Sequence, residues 1–119
     1  DLAYLDADNI DVSGARLRQS DMQLSTFDNW DLKGTNLSVA NLFGVRFNRS
    51  NFSNANFENA TLVGGYFGSS TFSGANFSGA NLSGADLHLA KGLAQSQLNR
   101  ACGDEATRLP AGLRIAYCG

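Results

Sequence analysis

The sequence predicts an all-β solenoid: a chain that turns every five residues, stacks its coils like parallel strands and carries an α-helix over its C-terminal end. Three observations lead there. Stepping by five from Leu2 gives Leu2, Ala7, Val12, Leu17, Met22, Phe27, Leu32, Leu37, Leu42, Phe47, Phe52, Phe57, Leu62, Phe67, Phe72, Phe77, Leu82 and Leu87, and only Ala7 among them is small. Seven of the eight phenylalanines fall in this column, Phe43 being the exception. Two residues earlier runs a column of small side chains, from Ala15 and Ser20 to Ala80 and Ala85, broken only by Leu5, Ile10 and Trp30. Finally, Gly (13), Asn (12) and Ser (12) make up 37 of the 119 residues while proline occurs once. Turn formers with so little proline, set among 8 Phe and 15 Leu, belong to regularly placed corners rather than to a linker.

A period of five fits neither ordinary element. On an α-helix it scatters large residues around the axis, and on a long strand it sends successive ones to opposite faces. A very short extended piece, by contrast, points residues two apart to the same side. The small and the large residue then face inward, the polar residue between them faces solvent, and the following Ser, Gly or Asn pair makes the turn. Consecutive turns stack about 4.8 Å apart as parallel strands. Periodicity leaves the number of sides open, since intervals of 15 and of 20 both align Phe and Leu.

Units such as Ala75-Asn76-Phe77-Ser78-Gly79 and Ala80-Asn81-Leu82-Ser83-Gly84 resemble the pentapeptide-repeat family. The likeness covers roughly residues 1–90 and is most specific from Ala40 to Leu87. It implies a right-handed quadrilateral parallel β-helix with four units per coil, so that the eighteen units from Leu2 to Leu87 make about four and a half coils. On that geometry Phe27, Phe47 and Phe67 stack on one side, Phe52 on Phe72 on a second, and Phe57 on Phe77 on a third. Ile10 and Trp30 become stacked neighbours plugging the end of the coil.

After Leu87 the beat fails. Lys91 to Gly103 reads as a helix whose apolar face is Ala90, Ala94, Leu98, Ala101 and Cys102, with Gly103 as its stop. A last coil otherwise exposes apolar side chains and unpaired backbone, so this helix is expected to be a C-terminal cap. The division is thus a repeat body over 1–90 and a helical cap with tail over 91–119, one folding unit. The tail, with Cys102-Gly103-Asp104-Glu105 and Leu109-Pro110-Ala111-Gly112-Leu113, also resembles a C-terminal extension of some bacterial family members. Both cysteines, Cys102 and Cys118, lie there. They are either two reduced thiols or a bridge; the bridge is the expectation, stabilising by about 3 kcal/mol for a loop of that length. A bridge confined to a loop-rich tail suits an oxidising compartment, so the expected location is exported: periplasm, extracellular space or thylakoid lumen. At the other end the repeats already run at residue 1, and the first coil is expected to present an open edge to a partner, to a second copy or to a missing segment, giving a monomer or a dimer.

Reactive groups are few. His88 is the only histidine, which excludes a two-histidine metal site, and beside Asp86 it reads as a solvated residue. Its spacings of 14 and 16 along His88, Cys102 and Cys118 match no compact metal motif. The glycine-rich stretches follow the five-residue beat and sit in no strand-loop-helix phosphate cradle. No catalytic set, cofactor or metal is therefore expected, nor a nucleic-acid or membrane partner, for there is no basic stripe and no long apolar span. Charge is uneven, however: residues 1–31 hold seven Asp against Arg16 and Arg18, a balance of −5, while residues 32–119 hold four acids against seven bases, +3. Asp1, Asp6, Asp8, Asp11, Asp21, Asp28 and Asp31 form this acidic pole, which reads as a soluble, polymerisation-resistant edge. Within the family, acidic rods protect DNA gyrase by mimicking duplex DNA, so a topoisomerase-binding DNA mimic is the alternative that the resemblance implies. A further candidate is an outward apolar patch. Phe43 and, 20 residues on, Val63 stand where Ser or Asn is usual, with Leu24 and Tyr66 expected nearby. The reading is a non-enzymatic scaffold for protein–protein interaction.

Overall fold

From Gly14 to Gly84 every fifth residue takes a positive φ, between 53° and 72°. The computed structural model describes residues 6–8 and 10–118, the first three by their backbone. Asp1, Leu2 and Leu5 lie outside the described residues, as do the side chains of Asp6 and Asp8. Two bonds build the repeating turn. On three of the four sides the small residue opening the unit donates its N–H to the carbonyl of the preceding large one, as in Ala15 to Val12 (2.9 Å) and Ala80 to Phe77 (3.0 Å), which with the positive φ makes a type II turn. The Asp or Asn between the two columns then accepts, on its own Oδ1, the N–H two residues on: Asp11 from Ser13 (2.9 Å), Asn36 from Ser38 (3.0 Å), Asn56 from Glu58 (2.9 Å) and Asn76 from Ser78 (3.0 Å). These residue types recur because their short side chains reach back to their own backbone.

Four parallel strands, β1 (Asp6–Asp8), β2 (Thr26–Asp28), β3 (Arg46–Asn48) and β4 (Tyr66–Gly68), lie side by side in chain order and pair residues 20 apart, Phe27 with Phe47 with Phe67. Three further ladders step by the same interval: Asp11–Asp31–Asn51–Thr71–Lys91, Arg16–Asn36–Asn56–Asn76 and Asp21–Asn41–Thr61–Asn81. The ladders settle what periodicity left open, 20 residues per coil and four sides. Inside, the rings stack as expected: Phe27 on Phe47 at 4.6 Å, Phe47 on Phe67 at 5.9 Å, Phe52 on Phe72 at 4.9 Å and Phe57 on Phe77 at 5.0 Å, all of them buried. Trp30 is buried edge-on against Phe27, while Ile10 remains 38% exposed.

One corner is closed by side chains. Beyond β2 and β3 the N–H of Trp30 donates to Ser50 Oγ (3.1 Å) and that of Ser50 to Ser70 Oγ (3.2 Å). The two hydroxyls donate in turn to the carbonyls of Asn48 and Gly68. Ser at these positions of the small column is therefore needed for its hydroxyl as well as its size.

The C-terminal helix is far shorter than the predicted 91–103. Only α1 (Gln95–Leu98) forms, a single turn. Lys91 still pairs with Thr71, Gly92 takes φ 76°, and Cys102 pairs with Asn81, so the ladder claims both flanks and leaves room for one turn. Leu98 and Ala101 are buried as the apolar face requires, but Ala94 is exposed. Gly103 is no helix stop: it belongs to β5 (Cys102–Gly103), which pairs in parallel with β6 (Ala116–Tyr117).

Candidate interaction surface

The corner between the Asp21–Asn41–Thr61–Asn81 ladder and strands β2–β4 gathers the predicted apolar residues. The Leu24 N–H donates to the Phe43 carbonyl and the Gly44 N–H to that of Val63, each at 2.9 Å, which sets the three turns one above another. Leu24 is 48% and Phe43 45% exposed; Val63 and Tyr66 are half-buried. Neighbouring glycines let these side chains lie flat. A Cβ on Gly44 would come within 2.8 Å of Leu24 Cδ2, and one on Gly68 would strike the Tyr66 ring. Above Gly64 the space is open. Across this corner the Arg46 guanidinium covers the Tyr66 ring at 4.7 Å and makes no ion pair among the described residues. Other exposed apolar corner residues are isolated: Val39 stacks between Gln19 and Asn59, and Leu89 follows Ser69 in its column.

The four described carboxylates of the acidic set, Asp11, Asp21, Asp28 and Asp31, lie on three sides of the first coils. Asp11 and Asp31 share a ladder, Asp21 lies on another, and Asp28 ends β2. Each is engaged: Asp11 by the Ser13 amide, Asp21 by that of Gln23, Asp31 by the Lys33 amide and ammonium (3.6 Å), and Asp28 by Arg49 at 2.7 Å. The Ser13 bonds hold the Asp11 carboxyl below the usual carboxylate range.

The tail is fastened at four points. Cys102 and Cys118 form a disulfide with Cα atoms 4.8 Å apart. Gln97 reaches from α1 to donate to the carbonyls of Phe72 and Ala75, both at 2.9 Å, the Ala75 carbonyl being one that a further coil would otherwise bind. Asp104 Oδ1 accepts the Gly84 N–H (2.9 Å) and the Ala106 N–H (3.0 Å), and Thr107 donates to the Leu82 carbonyl (2.8 Å). The Gly84 bond above all, helped by Ala106 and Thr107 and opposed by burial, holds the Asp104 carboxyl low. Lastly, Asp86 meets His88 Nδ1 at 2.5 Å and Arg108 at 3.4 Å. Burial raises the Asp86 carboxyl, yet the His88 bonds and the charges of His88 and Arg108 outweigh it, so it too sits below its usual range. Asp86 joins the last coil to the tail through Arg108, and His88, which the sequence suggests is a solvated residue, lies partly exposed against it. None of these fasteners except the cysteines is visible in the sequence pattern; the signal was a spacing near 20, which slips to 21 for Asn81–Cys102 and 22 for Asp86–Arg108. Between the coil end and α1 lies a shallow groove of about 350 Å³, lined by Asn76, Ser78, Ser96, Gln97 and Arg100.

A family model for pentapeptide repeats, 8 copies, matches residues 10–49, 25–58 and 50–88. The chain is a member of the pentapeptide-repeat family. Solved structures of such proteins are similar to it. One is the pentapeptide-repeat protein Rfr23 of the cyanobacterium Cyanothece 51142, 20% identical over 91% of this chain and 86% of that one, TM-score 0.44. Another is a pentapeptide-repeat protein of the Arabidopsis thaliana thylakoid lumen, 24% identical over 81% and 73%, TM-score 0.43. A third is QnrB1, a plasmid-mediated fluoroquinolone resistance protein, 19% identical over 88% and 65%, TM-score 0.33. A comparison with curated proteins finds no match. Among the described residues of this pentapeptide-repeat protein, no helix is long and apolar enough to cross a membrane.

Proposed function

We propose that this pentapeptide-repeat protein is a non-enzymatic, rigid scaffold that binds another protein through the corner formed by Leu24, Phe43, Val63 and Tyr66. In this reading residues 1–90 are the repeat body, a right-handed helix of about four and a half coils, and residues 91–119 are its cap. The observation that carries the reading is the corner itself: two large apolar side chains, each nearly half exposed, in adjacent coils and one residue out of register, on a body whose other corners are mostly polar. The disulfide supports an exported location, in an oxidising compartment. A pull-down from that compartment tests the site. Wild-type chain is expected to capture a partner that Phe43→Ser/Val63→Ser chain does not, while both melt alike; equal capture by the two removes the corner from the interaction.

The excess of Asp in residues 1–31 favours a second reading, a DNA mimic acting on a type II topoisomerase. Against it, the described carboxylates are spread over three sides and individually engaged. A gyrase supercoiling assay separates the two: the scaffold reading expects no effect of the added chain.

A further inference from the structure

We infer that the corner receives an acidic amphipathic α-helix lying along the coil axis. This rests on the reading of the corner as an interaction surface and specifies what it accepts. Leu24, Phe43 and Val63 stand in three consecutive coils, Phe43 and Val63 in one column and Leu24 one residue to its side over Gly44, and the coil rise is set by parallel strand pairing at about 4.8 Å. A helix parallel to that axis offers one apolar side chain per turn, about every 5.4 Å, through positions i, i+3 or i+4, and i+7. Over two steps its side chains run only about 1.2 Å ahead of the coils. An extended strand presents same-side residues about every 6.7 Å and runs about 3.8 Å ahead over the same distance, so it meets the three positions poorly.

Charge sets the sign of the flank. Along one side of the apolar row lie Arg46, Arg49 and Arg108 against Asp28 and Asp86. Asp28 is held by Arg49, and Asp86 by His88 and Arg108. Arg46 alone of these has no carboxylate in reach among the described residues, and its guanidinium is held in place over the Tyr66 ring. A carboxylate one helical turn from the apolar row would pair with it, and a lysine there would be repelled. Shape agrees, for the open space above Gly64 lies between the Phe43–Val63 column and Tyr66 and admits a side chain from a partner.

The test is selection from a display library of single helices of ~18 residues, randomised on one face, against the whole disulfide-bonded chain. Affinities of the selected helices are then measured by fluorescence anisotropy on the wild type, Phe43→Ser, Val63→Ser and Arg46→Glu, each checked for wild-type thermal melting. The selected helices are expected to carry the three-residue apolar row with Asp or Glu beside it. They should lose roughly tenfold or more on Phe43→Ser and weaken on Arg46→Glu, where their Glu→Lys versions should gain. Helices that depend on Phe43 yet bind equally well with Lys in place of Glu overturn the acidic-helix inference and leave the corner as an interaction surface. Helices indifferent to both Phe43→Ser and Val63→Ser overturn the inference and the corner together. Recovery of no binder at all also overturns the inference.

Discussion

At the residue scale, the same few side-chain types carry different loads depending on the side of the coil. Asn and Asp at the outward position are Asx acceptors for the turn they precede, so their recurrence is local bonding and not a sign of ligand chemistry. Ser50 and Ser70 look in sequence like any other small residues, yet each accepts a buried backbone N–H 20 residues away. Ser70→Ala should therefore cost about 1–3 kcal/mol, since it strands the Ser50 N–H in the interior. Ala75→Ser, by contrast, adds a hydroxyl where the type II turn already satisfies the backbone, and gives no matching gain. Urea melts decide this, and a Ser70→Ala chain as stable as wild type would contradict the bonding described. Carboxylates add a pH signature. Asp86 and Asp104 both titrate below their ordinary range when folded, so their stabilisation is complete above the unfolded carboxylate value near 3.9 and is lost as pH falls through the lower folded values. Stability should be flat from neutral pH to about pH 5 and drop below about pH 4. The gap between wild type and Asp104→Asn should close over that same acid range; a gap unchanged down to about pH 3 would place the Asp104 effect elsewhere.

Elements explain where sequence reading succeeds and where it falls short. The repeat is legible because its two columns are purely local: each five-residue unit needs one large residue, one small one and a turn. The number of sides is not, since Phe and Leu alternate freely enough that 15 and 20 both align them; only the ladder pairs decide. The helix predicted over Lys91–Gly103 buries Leu98 and Ala101 of its expected apolar face, leaves Ala94 exposed and has the wrong extent. Its periodicity is overridden by the free edge of the last coil, which draws Lys91 and Cys102 into pairing at either side. Because β6 is two residues long, the disulfide that holds it next to β5 bears most of its attachment. Cys102→Ser/Cys118→Ser, or reduction, should lower stability by about 3 kcal/mol, measured by denaturant unfolding. Amide exchange should quicken first at residues 113–118 while Phe47 and Phe67 stay protected; uniform loss of protection along the chain would show that the tail is not a separable element.

Taken whole, the molecule is a stack in which each coil repeats the one before it, and its candidate site exists only because side chains from different coils fall in line. Phe43 as the one phenylalanine outside the five-residue column was legible in the sequence, and so was its 20-residue relation to Val63. Arg46 over Tyr66 was not, because both occupy the outward position that any polar residue fills; their pairing depends on the coil length, which the family resemblance supplied and the ladders establish. The acidic N-terminal end shows what the linear count leaves out. A count of charges along the chain collects Asp11, Asp21, Asp28 and Asp31 into one group, and winding the chain distributes them around the body.

The 20-residue coil also makes the surface a matter of phase. Duplicating one whole coil within the repeats would lengthen the body by about 4.8 Å and leave every side facing as before. Inserting a single five-residue unit between Phe43 and Val63 would keep the core pattern intact and yet turn everything beyond it by a quarter of the circumference, parting Val63 and Tyr66 from Leu24 and Phe43. Length variation in such a chain is thus quantised: changes in multiples of four units rescale a binding edge, and any other number dismantles it without disturbing the fold.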